Sequence, residues 1–163
     1  MQLPLQLGSL ASALQAAQTL VDIATEEANK TSESRDEIEI ERLQEAYGKG
    51  ATGRGMATGA AKAAKELEKE QKSRATRMVR DFIDGALLDI ATFYRDVMLA
   101  QCGISESLIN ADMREQIEKY AGSSRSATII NKINVTIAAR KNLALNAAPL
   151  VTCEALMCQL ARK

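Results

Sequence analysis

Between Pro4 and Pro149 the chain contains no proline, and these are the only two in 163 residues. Proline removes a backbone donor and clashes with the preceding turn, so so long a proline-free run leaves uninterrupted helix open to the chain. The apolar fraction of 46% is carried largely by Ala and Leu, whereas aromatic residues make up only 3% and Trp is absent. Ala and Leu are strong helix formers, and a β-sandwich draws instead on aromatic and β-branched residues. The expected fold class is therefore all-α, a helical bundle. A chain of this length buries roughly 70% of its unfolded surface, enough for one self-sufficient core.

The absence of histidine narrows the chemistry. It removes Ser-His-Asp and Cys-His pairs, imidazole metal ligands and the histidine general base. It also disfavours a ferritin-like di-metal bundle, whose Glu-x-x-His pairs could not form. Three scattered cysteines, Cys102, Cys153 and Cys158, fit a reducing compartment and read as small buried apolar residues rather than zinc or redox ligands. No catalytic residue, metal site or cofactor is expected. No apolar run reaches the roughly 18 residues of a membrane span. The first basic residue is Lys30, so a signal peptide's charged n-region is missing. The expected location is cytoplasmic, with no membrane or small-molecule partner.

Charge is balanced overall but segregated. From Asp22 to Glu45 there are nine acids and three bases, a net −6; from Lys49 to Arg80 there are nine bases and three acids, a net +6. Adjacent segments of opposite sign predict an antiparallel helical hairpin over 22–80, protruding from the bundle, with a glycine-rich tip over 48–59. Single surface ion pairs contribute about 0–1 kcal/mol, so the charge selects the partner arm more than it stabilises it. Lys62, Lys65, Lys69 and Lys72, at steps of three and four, also form a basic stripe that could meet nucleic-acid phosphates. The lack of interleaved aromatics weakens that reading.

Helical spacing predicts a first helix from about Ser9 to Asn29, facing the core with Leu10, Leu14, Ala17, Val21 and Ala24. Thr31 to Ser34 is a polar weak point, and Ser34 with Glu37 reads as a capping box that restarts the helix as far as Tyr47. Gly48 is expected to supply a left-handed cap. The run Gly48 to Gly55 lacks the final Lys-Ser/Thr and the preceding strand of a phosphate-binding loop, so it reads as a flexible tip. A long helix follows from about Gly59 to Gln101, about 60 Å at 1.5 Å per residue. Leu67, Gln71 and Ala75 mark a narrow stripe on its charged arm. A wider apolar arc follows, built from Met78, Phe82, Ala86, Ile90, Phe93 and Val97 with Val79, Ile83, Leu87, Tyr94 and Met98. Gly85 is expected to mark a close approach or a kink.

Gly103 should close this helix, with Ser105 and Asp112 as N-caps of one or two short helices ending at Gly122. Ile133, Val135 and Ile137 alternate like a strand, but an isolated strand has no partner. A helix over about Ser126 to Leu145, facing inward through Ile130, Ile133, Ile137 and Ala144, is expected instead. Asn146 ends it as a turn-former whose side chain satisfies backbone groups. Pro149 opens the last helix, with Val151, Ala155 and Cys158 toward the core.

Three segments taken together resemble one family. They are Lys72-Ser73-Arg74-Ala75-Thr76-Arg77 with Arg80-Asp81; Leu88-Asp89-Ile90-Ala91-Thr92-Phe93-Tyr94-Arg95-Asp96-Val97; and the ending Ile133 to Leu160, with Asn146, Pro149, Glu154, Ala155 and Leu156. Their order is similar to that of the C-terminal collar domain of the delta-prime subunit of the bacterial DNA polymerase III clamp loader, of actinobacterial type. Gly53-Arg54-Gly55 sits where such relatives carry a glycine-rich tip. Residues 1–8, with Leu3-Pro4-Leu5, look like the remnant of the family's linker, which makes 9–163 a single collar domain in an isolated or truncated chain.

The resemblance implies a non-catalytic oligomerisation role in loading the sliding clamp onto primed DNA. The implied partners are the delta and gamma/tau subunits, met through collar packing, with any DNA contact indirect. The family's nucleotide-binding domains, zinc-ribbon cysteines and Ser-Arg-Cys finger have no counterpart here, so no ATP-site role carries over. Glu154 would pair with a basic residue inside the bundle or across a subunit boundary, with the former preferred. Lys72, Arg74 and Arg77 are the best candidates for contacts beyond the bundle. The competing reading is a stand-alone helical nucleic-acid-binding module using Lys62 to Arg80. A hydrolase built on Glu26 and Glu27 is poor, because adjacent residues diverge on a helix.

Overall fold

A computed structural model describes residue 4 and residues 7–47, 54–104 and 106–162, with the side chains of 54–58 outside it. Every regular element among the described residues is helical: α1 (Leu10–Tyr47), α2 (Arg54–Gln101), a short 3-10 turn (Ala111–Met113), α3 (Arg114–Ser123), α4 (Ser126–Ala144) and α5 (Pro149–Leu160). The expected all-α class is thus the observed one. The chain divides into two compact units, Met1–Asp22 with Ile83–Lys163, and Ile23–Phe82.

The first unit holds the larger core. Its α1 portion starts at a capping box that the sequence reading missed: Ser9 Oγ accepts from the Ser12 N–H at 3.1 Å, and Ser12 Oγ accepts from the Ser9 N–H at 2.9 Å. Two helix-end donors are thereby satisfied reciprocally. Ala13, Ala17 and Leu20 are buried, while Leu10 and Leu14 are exposed. The inward face keeps Ala17 and Ala24 of the expected stripe but runs through Ala13 and Leu20, one position before the expected Leu14 and Val21. Small Ala side chains let neighbouring helices approach closely, while Leu10 and Leu14 are left outside.

The same one-residue offset recurs in α4 and α5, which pack against each other. In α4 the buried positions are Ile129, Lys132, Thr136, Ala139 and Leu143, while Ile130 and Ile137 are exposed. In α5 they are Thr152, Cys153, Leu156, Met157 and Leu160, while Val151 and Ala155 are exposed. From α2, Ile83, Leu87, Ile90, Phe93, Tyr94 and Val97 fill the centre, but Phe82 is 39% exposed. A Cβ placed on Gly85 would meet nothing within 4 Å, and α2 runs unbroken past it. Gly85 is neither a close approach nor a break.

Two helix ends use left-handed residues. Gly103, at φ 76°, closes α2, with Gly103 N–H donating to Ala100 O and Ile104 N–H donating to Leu99 O. Asn146, at φ 64°, does the same for α4, with Asn146 N–H to Leu143 O and Ala147 N–H to Asn142 O. Both are Schellman closures. Pro149 sits in the first turn of α5, where its missing N–H has no cost. Asp112 lies inside the 3-10 turn and not at a cap; Asn110 holds the N-cap position.

In the second unit, the helix over 23–47 continues without interruption through 31–34. Thr31 Oγ1 donates to Glu27 O at 2.7 Å and Ser32 Oγ donates to Asn29 O at 3.2 Å. These hydroxyls bond back along the helix instead of competing with it, so no restart at Ser34 is needed. Ala24, Ala28 and Ser32 are buried here, and Leu67, Gln71 and Ala75 are half-buried as the spacing expected. Helix α2 begins at Arg54, earlier than Gly59, so part of the anticipated tip is helical. The Gly48 cap, the tip residues 48–53, the Ser105 cap and most of the linker over 1–8 lie outside the described residues.

Candidate functional site

The basic stripe is only partly free. Lys62, Lys65, Lys69 and Arg77 are exposed on α2. Lys72 meets Glu68 at 2.5 Å, one turn back on the same helix. Arg74 departs most from expectation, because it is spent inside the hairpin. Its Nη2 donates to Asp36 Oδ1 at 2.6 Å and its Nη1 to Glu39 Oε1 at 3.1 Å. Gln71 Nε2 donates to Asp36 O at 3.2 Å, and Arg35 Nε donates to Glu39 Oε1 at 3.0 Å. The hydrogen bonds from Arg74, then Arg35, hold the Glu39 carboxyl down at about 2, and the bonds to Glu39, then Asp36, push the Arg74 guanidinium well above its usual range. A guanidinium fork matched to carboxylates is a specific cross-arm tie. The Arg74 guanidinium is engaged within the hairpin by Asp36 and Glu39.

The other named residues divide similarly. Asn146 acts through its positive φ and not through side-chain capping. Glu154 is half-buried and forms no salt bridge among the described residues, so the preferred pairing inside the bundle is not observed. Its charge lies near Cys153, whose thiol is raised to about 11, first by burial and then by that carboxylate. Such a thiol is inert, as a small core residue should be.

A second cluster escaped the sequence reading altogether. Lys132 is only 6% exposed, in the core register of α4. Its Nζ donates to Leu160 O at 2.7 Å and to the Tyr120 hydroxyl at 3.0 Å, and lies 5.6 and 5.7 Å from the ring centroids of Tyr94 and Tyr120. Those two rings and Phe93 meet edge to face at 5.4 to 6.0 Å. Burial first, then Tyr120, drives the Tyr94 hydroxyl far above its ordinary value. No carboxylate pairs with Lys132 among the described residues. Its charge rests on a helix C-terminal carbonyl and two aromatic faces. The available signal was the step pattern 129, 132, 136, 139, 143, which places a lysine and a threonine inside; choosing the most apolar stripe instead concealed it.

Lys132 opens onto two clefts of about 490 and 390 Å³. Arg125, Thr128 and Arg162 line both, Tyr120 and Ser124 the larger, Asn131 and Gln159 the smaller, and neither is lined by a carboxylate among the described residues. Among the described residues there is no cluster of three or more potential metal ligands, and no helix is long and apolar enough to cross a membrane. No known protein family, curated protein or solved structure matches the chain.

Proposed function

We propose that this chain is a non-catalytic oligomerisation module, the collar domain of a delta-prime-type subunit of the DNA polymerase III clamp loader. The observation that carries the reading is the misplaced apolar surface of the first unit. Leu10 is 65% exposed, Ile130 46% and Val151 63%, although each lies on a helix whose other face is buried in the core. Large side chains held outside a formed core suit association with other helices. The resemblance of the segments around Lys72, Leu88 and Asn146 supplies the identity of those helices, the collars of delta and gamma/tau subunits.

Gel filtration of the chain with those collars tests this. Co-elution at micromolar concentration is expected, and Ile130→Asp with Val151→Asp should abolish it while leaving helix content unchanged. Failure of the unaltered chain to co-elute overturns the reading. The nucleic-acid reading keeps one specific support, the exposed Lys62, Lys65, Lys69 and Arg77. It requires DNA affinity that falls steeply with salt and weakens in Lys69→Ala and Arg77→Ala.

A further inference from the structure

We propose that the clefts over Lys132 bind a small phosphate-bearing anion, with Lys132 as the buried charge and Arg125 and Arg162 at the mouth. This stands apart from the collar reading and does not depend on it.

Three cations line one region with no carboxylate beside them among the described residues. Burying an ammonium costs several kcal/mol unless it is paired, and Lys132 is 94% hidden with no counter-charge found among the described residues. Its carbonyl and tyrosine contacts use two of its three donors. The surroundings suit an oxyanion. Arg125 and Arg162 offer guanidinium forks, Thr128 and Ser124 offer hydroxyls, and Asn131 and Gln159 offer amides. Arg125 is also the N-cap residue of α4 and provides no side-chain cap. The Thr128 N–H donates to Arg125 O at 2.9 Å, which leaves the N–H groups of Ser126 and Ala127, the latter a lining residue of the smaller cleft, without a side-chain cap. A multivalent oxyanion answers all of these donors at once, whereas a carboxylate with two oxygens answers fewer. Lys132 lies too deep for the outward-facing phosphates of a duplex, which favours a small ligand.

Titration calorimetry and phosphorus NMR with inorganic phosphate, pyrophosphate and phenyl phosphate provide the test, at constant ionic strength with acetate as control. Saturable one-site binding is expected, absent with acetate. Arg125→Gln and Arg162→Gln, both at exposed positions, should each weaken it about tenfold with unchanged unfolding. Lys132→Met should abolish it; if that variant does not fold, the two arginine variants carry the test. Tighter binding of phenyl phosphate than of the free ion identifies an ester, and the reverse identifies the ion; either supports the site. The proposal is overturned by no saturation with any of the three in the millimolar range, or by affinity unchanged from that of the unaltered chain in both arginine variants.

Discussion

Asn110 is clamped to Asp96 through a single oxygen: its backbone N–H and its Nδ2 both donate to Asp96 Oδ2, each at 2.8 Å. The other oxygen of Asp96 accepts from Arg95 Nη1 at 2.8 Å. Asp96 is fully buried on α2, so this carboxylate fixes where the chain turns into the Ala111–Met113 helix. Asn110 provides no side-chain cap of its own, and the fixed position comes from across the core.

Asp96→Ala should therefore cost more than a typical polar deletion. It leaves the Asn110 backbone N–H without its acceptor and its amide with only Thr92 Oγ1 at 3.5 Å, at about 1–3 kcal/mol for each buried group left unsatisfied. Asp96→Asn keeps one acceptor and should cost less. Urea unfolding of both variants checks the order; equal, small losses would mean that water replaces the carboxylate.

Asn146 provides a backbone prediction of the opposite kind. At φ 64° an alanine is strained, whereas glycine is not. Asn146→Ala should destabilise by about 1 kcal/mol, and Asn146→Gly should be neutral within a few tenths. Thermal unfolding distinguishes them, because a side-chain role would make the two losses equal.

How much of this was legible in the sequence follows from which forces are local. Helix existence, the Gly103 and Asn146 closures and the Pro149 start depend on a few neighbouring residues, and each was readable. The inward faces of α1, α4 and α5 were not, because they are decided by how closely helices approach. Ala17 and Ala24 are buried as the spacing expected, but Ala13 is buried where Leu10 and Leu14 are not, so ranking positions by apolarity misplaces part of the stripe. The same bias hid Lys132, whose burial depends on Tyr94, Tyr120 and Leu160, all distant in sequence. Arg74 was misassigned for a related reason. The charge segregation indicated that the two arms attract, but not which cation is consumed by Asp36 and Glu39.

That tie makes the second unit acid-sensitive in a defined window. Glu39 ordinarily titrates at 4.5 but is held at about 2 by Arg74 first and Arg35 second. A carboxyl depressed in the folded state contributes fully above its unfolded value and loses that contribution as pH falls through its folded one. Hydrogen-exchange protection over 36–39 should thus be constant above about pH 4.5 and decline toward pH 2. In Arg74→Met the carboxyl should return toward 4.5 and the decline should flatten, since most of the differential has gone. Carbon-detected NMR of the Glu39 carboxyl reads the titration directly. An unchanged midpoint in that variant would show that Arg35 alone holds the charge, and that the fork across the hairpin contributes nothing to it.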